Sequence, residues 1–131
     1  MKLVLCAGVF DLFHIGHLRH LQEARSLGDM LVVGVTMDEY VDKPGRPIIP
    51  AVERLELMKS LRCVSAAALV RDSVEALHLW KPHIYVKGHD YIAKGLLNAE
   101  HEACAKYHTV IRHTKEQKQT TTKIIERIRN A

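Results

Sequence analysis

Two histidines near the start of the chain have the residue type and the spacing to bind an anion. His14 and His17 lie three residues apart, so on a helix both imidazoles occupy the same face. Gly8 precedes them and Gly16 lies between them, which lets the chain turn sharply and lets a phosphate approach the first helical turn. Free backbone N–H groups and the positive end of the helix dipole add to the imidazole donors. The segment therefore predicts an anion site at a helix N-terminus.

The ten residues from Gly8 to His17 resemble the Gly-x-Phe-Asp-x-x-His-x-Gly-His signature of the cytidylyltransferase-like nucleotidyltransferases. Their central His-Ile-Gly-His is shared with class I aminoacyl-tRNA synthetases, but the sequence contains no Lys-Met-Ser-Lys-Ser motif. Gly45 to Pro50 and Val86 to Tyr91 are similar to the adenylyltransferase domain of the bacterial heptose-phosphate enzyme. Thr120 to Ile124 is similar to glycerol-3-phosphate cytidylyltransferase, although Lys115 stands where that enzyme has an arginine.

The resemblance implies transfer of CMP or AMP from CTP or ATP to a small phosphorylated substrate, glycerol-3-phosphate or a sugar phosphate, with release of pyrophosphate. It also implies Mg²⁺ bound with the nucleoside triphosphate and a place in the biosynthesis of cell-envelope precursors. No serine or cysteine has a base at motif spacing, so we expect direct in-line attack without a covalent intermediate. Both reactants are anions at neutral pH, so the protein must overcome charge repulsion rather than remove a proton.

Loops at the carboxyl ends of the predicted strands, together with the resemblance, supply the expected site residues. We expect catalysis from His14, His17 and Lys43. We expect nucleotide binding by Gly8, Val9, Phe10, Gly16, Lys87, Gly88, Asp90, Lys115, Thr120, Thr121 and Thr122. We expect the phosphorylated substrate to contact Asp11, Arg46 and Arg54. No set of metal-ligating residues is expected.

The histidines and the loop cations each have an alternative explanation. His14, His17 and His20 could form a metal-binding face, but no cysteine or carboxylate at ligand spacing completes a zinc site. His20 by itself is expected at the surface. Lys43 and Arg46 could be solvated loop charges, although their position after the second predicted strand favours contact with a substrate phosphate.

The remaining candidates are also compatible with purely structural roles. Arg54 lies in the first turns of a helix, where a cation opposes the dipole and needs an anionic partner. Asp90 could belong to a simple turn, and Thr120 to Thr122 could serve as a helix N-cap, which does not exclude phosphate binding. At the level of the whole protein, the alternative is a non-catalytic nucleotide-binding or regulatory module.

Alternating apolar segments predict the elements that position these residues. We expect strands at Lys2–Ala7, Met30–Thr36, Val64–Val70, His83–Lys87 and Thr109–His113, and helices at Ile15–Leu27, Ala51–Leu61 and Leu96–Tyr107. A further helix is expected to be capped by Asp72 or Ser73 and to run to about Trp80, and a last one to run from Thr120 or Thr121 to Arg129 with Ile124, Ile125 and Ile128 facing inward. Regular alternation of strand and helix predicts a Rossmann-like, doubly wound α/β fold with a parallel sheet of five strands, formed by residues 1–131 as one domain.

Composition limits the classes of partner. The net charge of +4 suits an anionic ligand, and with only 5% aromatic residues there is little capacity to stack nucleic acid bases. No apolar run approaches the length of a membrane span or of a signal-peptide core, and three widely spaced cysteines suggest reduced thiols. We therefore expect a cytoplasmic protein that binds neither nucleic acid nor membrane. The resemblance to glycerol-3-phosphate cytidylyltransferase implies a homodimer, which is also the commonest closed assembly.

Overall fold

Five parallel strands form one sheet in the computed structural model, which describes all 131 residues. The strands are β1 (Leu3–Gly8), β2 (Met30–Thr36), β3 (Ala66–Val70), β4 (Ile84–Lys87) and β5 (Val110–His113). The helices are α1 (Ile15–Arg25), α2 (Ala51–Ser60), α3 (Ser73–Trp80), α4 (Tyr91–Lys94), α5 (Asn98–Tyr107) and α6 (Thr121–Arg129), with a 3₁₀ turn at Asp38–Tyr40. None of the helices combines the length and the apolar character that crossing a bilayer requires.

The strand order is β3-β2-β1-β4-β5, which confirms the doubly wound, Rossmann-like architecture. All six residues of β1 pair in parallel with β2, from Leu3 opposite Met30 to Gly8 opposite Val35. On its other side β1 pairs with β4. The strand order therefore reverses between β1 and β4, and a ligand site is expected outside their carboxyl ends.

Side chains on the two faces of the sheet enter separate apolar clusters. Val4 and Cys6 of β1 pack into the cluster that contains Leu21 of α1 and Met58 of α2. Leu5, which points to the opposite face, joins the cluster formed with α3 and α5. Burial on both faces explains why the central strands are continuous apolar runs in the sequence.

The structure corrects several element boundaries. β3 begins at Ala66 rather than Val64, and the expected helix from Leu96 begins at Asn98, after the short α4. In α6, Ile124 and Ile125 are half-buried, but Ile128, expected to face inward, is 66% exposed. No residue of α6 is fully buried. The apolar face of this helix is therefore less buried than its periodicity predicted.

A buried polar network joins the carboxyl end of β4 to α5. The Tyr85 hydroxyl donates to Glu100 Oε2 at 2.5 Å, and the Leu97 N–H donates to Glu100 Oε1 at 3.0 Å. Lys87 Nζ lies 3.5 Å from Glu100 Oε2. Burial alone would raise the pKa of Glu100, but these hydrogen bonds and the nearby ammonium hold it below its usual range. Glu100 is therefore an ionised carboxylate that neutralises a buried lysine.

We expect Glu100→Ala to lower the free energy of unfolding by about 3 kcal/mol, because it leaves the Lys87 charge and the Tyr85 hydroxyl buried without a partner. Urea denaturation at pH 7 measures the change. Glu102→Ala, at an exposed position of the same helix, is the matched control and should change stability by less than about 0.5 kcal/mol. Equal stability of the two variants would contradict the role given to Glu100.

Candidate active site

The N-terminus of α1 is capped by the histidines of the motif themselves. The Gly16 N–H donates to His14 Nδ1 at 3.0 Å, and the His14 N–H donates to His17 Nδ1 at 3.3 Å. The two imidazole rings stack with their centroids 3.8 Å apart. Because each Nδ1 accepts a backbone hydrogen bond, the proton of each neutral ring is assigned to Nε2. Neither Nε2–H has a partner within the protein, and His17 Nε2 is open to solvent whereas His14 Nε2 is sealed from it.

Burial keeps both imidazoles uncharged. It lowers the pKa of His14, and it lowers the pKa of His17 to about 3, with the neighbouring His14 and His20 contributing in the same direction. His14 Nε2 is buried and has no hydrogen-bond partner in the protein. A buried donor without a partner costs free energy unless a ligand satisfies it, so this atom points to an acceptor such as a phosphate oxygen.

Gly16 is required by packing as well as by ligand access. A β-carbon at this position would lie 2.6 Å from the Gln119 carbonyl oxygen and 2.8 Å from His14 Cε1. The segment between β5 and α6 thus rests directly on the first turn of α1. Any larger residue at position 16 would displace the backbone of that segment. Packing therefore requires a glycine here, in addition to the phosphate approach expected from the sequence.

The turn between β1 and α1 holds two non-glycine residues in the left-handed region. Phe10 has φ of 54° and Leu12 has φ of 47°, a conformation that costs free energy for residues with a β-carbon. The Phe10 ring meets the edge of His17 at a centroid distance of 5.7 Å, and Phe13 stacks on His17 at 5.5 Å. The turn therefore places apolar rings around the imidazole whose pKa is lowered most.

Asp11, expected to contact the substrate, organises the proline-rich loop at residues 42–50, which carries Lys43 and Arg46. Its carboxylate is buried and accepts from the N–H groups of Ile48 and Ile49, at 2.8 and 2.9 Å, and from Arg46 Nε at 3.1 Å. Burial alone would raise the pKa of Asp11, but these donors lower it. Thr121 Oγ1 also donates to the Asp11 carbonyl oxygen, so one residue joins three segments of the site.

Arg54, also expected to bind the substrate, has no access to it in this structure. Its side chain is fully buried and donates to the carbonyl oxygens of Ile49, Val9 and Thr36, and to the Asp38 carboxylate at 2.6 Å. The anionic partner that a cation near a helix N-terminus needs is therefore Asp38 rather than a phosphate. We correct its role to that of a positioning residue, which joins the ends of β1 and β2 to the proline-rich loop.

Every other expected site residue lines one cleft at the carboxyl ends of the strands. The cleft has a volume of about 920 Å³. Its walls include the following predicted residues: Gly8, Val9, Phe10, Asp11, His14, Gly16, His17, Lys43, Arg46, Lys87, Gly88, Asp90, Lys115, Thr120, Thr121 and Thr122. Residues separated by more than 100 positions in the sequence thus meet at the point where the strand order reverses.

The cations of the cleft differ in how free they are. Lys43 and Lys115 are exposed and no ion pair engages either ammonium, whereas Arg46 is held by Asp11 through Nε alone. Lys87 is paired with Glu100 and lies 3.9 Å from the centroid of the Tyr91 ring. Asp90 is exposed and paired with Lys94 at 3.3 Å. Lys43 and Arg46 are therefore the cations most available to a mobile phosphate on the β2 side.

The carboxyl-terminal wall of the cleft combines a helix cap with threonine side chains. Thr120 Oγ1 accepts from the Lys123 N–H at 3.1 Å and so caps α6. The N-cap role that the sequence suggested for this segment, beside phosphate binding, is therefore observed. Thr122 is exposed on the cleft. The Lys115 N–H donates to the Glu23 carboxylate at 3.1 Å, which ties this wall to α1.

Sequence reasoning missed several residues of the cleft wall, among them His20 and Tyr91. His20, expected at the surface, is half-buried and its Nδ1 lies 2.6 Å from Thr114 Oγ1. Tyr91 lies under the Lys87 ammonium, on the same wall as Asp90. The regular spacing of His14, His17 and His20 was the available signal for His20, because residues three apart on a helix share a face.

The paired imidazoles thus lie where the strand order of a doubly wound parallel sheet reverses, which is the place at which α/β proteins of this kind bind ligands. The family described as "Cytidylyltransferase-like" matches residues 5–127. The chain belongs to this family.

Known proteins with similar sequences and structures agree with this assignment. The chain is 36% identical over 104 residues to "Bifunctional protein HldE" of Pelobacter propionicus, covering 76% of this chain and 21% of that protein. It is 35% identical over 134 aligned positions to "Bifunctional protein HldE" of Nitratiruptor sp., covering 98% of this chain and 28% of that protein. The chain thus spans about a quarter of the length of these relatives. The lipopolysaccharide core biosynthesis protein of Thermoplasma volcanium superposes with a TM-score of 0.72 at 31% identity, covering 92% of this chain and 99% of that one.

We expect Asp11→Asn to lower the free energy of unfolding by about 2 kcal/mol and to reduce kcat/KM, because an amide NH₂ would face backbone donors that now meet a carboxylate. Urea denaturation and steady-state kinetics measure the two effects. Glu56→Gln, at an exposed position of α2 outside the cleft, is the control and should leave both unchanged. The Asp11 contribution to stability is fully present above pH 3.8, the ordinary pKa of aspartate, and is lost as the pH falls below it. Wild-type stability in Asp11→Asn would contradict this role.

Proposed function

We propose that this protein transfers CMP or AMP from CTP or ATP to a small phosphorylated substrate, glycerol-3-phosphate or a sugar phosphate, and releases pyrophosphate. The observation that supports this most directly is the pair of neutral imidazoles at the N-terminus of α1, with the unsatisfied Nε2–H of His14 in a cleft that also carries Lys43 and Arg46. The arrangement provides one anion site for a triphosphate and a second, cationic one for an acceptor phosphate.

The reaction requires positioning and charge stabilisation from the protein. An oxygen of the acceptor phosphate attacks the α-phosphorus in line, a new P–O bond forms, and the bond from the α-phosphorus to the bridging oxygen breaks. Pyrophosphate leaves with the bonding electrons, and no proton has to be removed because the attacking oxygen is already ionised. His14 and His17 donate hydrogen bonds to the triphosphate oxygens on which charge develops, while Lys43 and Arg46 hold the acceptor phosphate.

The neutral state of the imidazoles suits this task. A neutral imidazole with its proton on Nε2 donates one directed hydrogen bond without the desolvation cost of a buried cation. Its pKa is already low in the free protein, so the donors are present at neutral pH before the nucleotide binds. Such preorganised donors need no rearrangement as charge develops on the phosphate.

In this proposal Mg²⁺ is bound through the nucleotide, and no metal site formed by protein side chains alone is needed. No group of three or more histidine, cysteine, aspartate or glutamate side chains is arranged to hold a metal ion, so Mg²⁺ would take its ligands from triphosphate oxygens and water. When bound, the ion neutralises charge on the β and γ phosphates. The protein's share is to hold those phosphates at the N-terminus of α1.

The similarity of Gly45 to Pro50 and Val86 to Tyr91 to the adenylyltransferase domain of the heptose-phosphate enzyme supports a sugar phosphate as acceptor. The similarity to the lipopolysaccharide core biosynthesis protein of Thermoplasma volcanium supports a role in the synthesis of cell-envelope precursors. The test is pyrophosphate release with CTP or ATP against a panel of phosphorylated polyols and sugars. Release that requires one such acceptor supports the proposal, and no release with any pair of substrates contradicts it.

We expect His14→Ala and His17→Ala each to lower kcat by about a hundredfold, because donors to developing charge are typically worth about 3 kcal/mol. His14→Ala also removes the cap of α1, at a cost of about 1 kcal/mol in stability. Pyrophosphate release and thermal unfolding measure the two effects. His101→Ala, on the exposed face of α5, is the control. A double variant with full activity would rule out the mechanism.

We expect Lys43→Ala and Arg46→Ala to raise KM for the phosphorylated acceptor more than KM for the triphosphate, because each removes a contact to one substrate only. Initial rates with each substrate varied in turn provide both constants. Lys59→Ala, at an exposed position of α2, should change neither constant. Equal effects on the two substrates would assign this loop to the triphosphate instead.

We also propose that the protein is a homodimer, the commonest closed assembly. β1 is the central strand, and the helix that follows it exposes Ile15 and Arg19 beside the cleft, which a second copy could cover. Light scattering at micromolar concentration, with and without nucleotide, should give about twice the chain mass of 14.9 kDa. A mass near that of one chain under both conditions would contradict the proposal.

A further inference from the structure

His20 is a third imidazole on the cleft wall, and the mechanism described above does not use it. It follows His17 by three residues on α1, so the three histidines form a row along one face of the helix. Six residues separate His20 from His14, a rise of about 9 Å along the helix axis. A ligand group that contacts His20 is therefore distinct from the phosphate that lies at the helix N-terminus.

The hydrogen bonding of His20 leaves one nitrogen for a ligand. Nδ1 is 2.6 Å from Thr114 Oγ1, and Thr114 is itself buried, with its N–H donating to the Lys87 carbonyl oxygen. Nε2 has no hydrogen-bond partner in the protein, and it is not among the polar atoms sealed from solvent. Both residues line the cleft, so the ring is fixed through one nitrogen and presents the other to the cleft.

The surroundings of His20 suit an uncharged polar group. Burial lowers the pKa of His20, and the charged groups near the ring are Glu23, Lys87 and Asp90. Lys87 is already neutralised by Glu100, and the Glu23 carboxylate accepts from the Lys115 N–H. The neutral imidazole is thus a single donor or acceptor beside charged groups that already have partners, while the exposed ammonium of Lys115 is the free cation on this wall.

The remaining space of the cleft determines which part of the nucleotide reaches this region. The triphosphate is assigned to the N-terminus of α1, and the acceptor phosphate to the β2 side with Lys43 and Arg46. What is left lies past the ends of β4 and β5, where Tyr91 and the 67% exposed Leu97 give the wall an apolar surface. Apolar and aromatic surface with a few directed polar groups is the environment that a nucleoside requires.

We propose that His20 hydrogen-bonds the nucleoside part of the triphosphate through Nε2 and so contributes to nucleotide affinity and selectivity. The proposal rests on the proposed function, because it takes the nucleotide to be bound with its phosphates at His14 and His17. Thr114 acts as the positioning residue, since its hydroxyl fixes the orientation of the imidazole ring. The alternative is that His20 serves only to connect α1 to the end of β5.

Two substitutions separate these possibilities, because asparagine places an amide near the position of Nδ1 and glutamine places one near the position of Nε2. His20→Asn retains the contact to Thr114 and loses the group that faces the cleft. His20→Gln retains that group and loses the contact to Thr114. His101→Asn, on the exposed face of α5, is the matched control for both.

Titration calorimetry of each variant with ATP, CTP and inorganic tripolyphosphate, which has no nucleoside, provides the test. We expect His20→Asn to weaken binding of the preferred nucleotide about five- to tenfold and to leave tripolyphosphate binding unchanged. We expect His20→Gln to retain most of the nucleotide affinity, with a lower unfolding temperature from the lost contact. Thr114→Val should reduce nucleotide affinity less than His20→Asn does.

The opposite ranking would overturn the proposal. If His20→Asn binds the nucleotide as the wild type does while His20→Gln does not, the histidine acts only through Thr114. Equal weakening of nucleotide and tripolyphosphate binding by His20→Asn would also overturn it, since the contact would then be to phosphate. A wild-type protein that binds neither nucleotide nor tripolyphosphate would instead contradict the proposed function itself.

Discussion

The site depends on the buried carboxylate of Asp11 more than on any other single group. Its two oxygens accept from the backbone of the proline-rich loop and from Arg46, while its own carbonyl oxygen accepts from Thr121 at the start of α6. A carboxylate can satisfy several donors at once, and donors that converge on it from different segments fix their relative positions. Two loops that are far apart in the sequence are thereby held against the turn that precedes α1.

Arg54 is the counterpart of Asp11 with the opposite charge. A guanidinium has five N–H donors in a rigid plane, which makes it suited to joining carbonyl oxygens that strand ends leave unpaired. In this chain it joins the ends of β1 and β2 to Ile49 and to the Asp38 carboxylate. Together the two buried charges form the support for the cleft, and the exposed cations are left for substrates.

The fold was accessible from the sequence because its signals are local. Apolar runs such as Met30 to Thr36 are typical of strands buried on both faces, and the Gly8 to His17 segment carries both its turn and its helix start. The roles of Asp11, Arg54 and His20 were not accessible in the same way. Each has a side-chain partner far away in the sequence: Arg46 is 35 residues from Asp11, Asp38 is 16 residues from Arg54, and Thr114 is 94 residues from His20. A polar residue gives no local sign of whether such a partner or a ligand satisfies it.

The apolar periodicity of α6 did not predict how exposed each of its residues is, because packing determines exposure. Ile128 continues the apolar spacing of Ile124 and Ile125 in α6, yet it is largely exposed. Helical spacing states which residues share a face, but how far that face extends over the sheet depends on where the helix is anchored. α6 is anchored near its start, through Thr121 and the Asp11 carbonyl oxygen.

The left-handed backbone at Phe10 and Leu12 couples the strain of one turn to the burial of a ring. Each of these residues costs about 1–2 kcal/mol relative to a glycine in the same conformation. A glycine at position 10 would relieve that strain but lose the Phe10 ring from the apolar cluster that contains Val4 and Cys6, which costs about 3 kcal/mol or more. It would also remove the ring that meets the edge of His17 and admit water to the imidazole, which would then be easier to protonate. Relaxing the backbone of this turn would therefore cost both stability and the neutral state of His17.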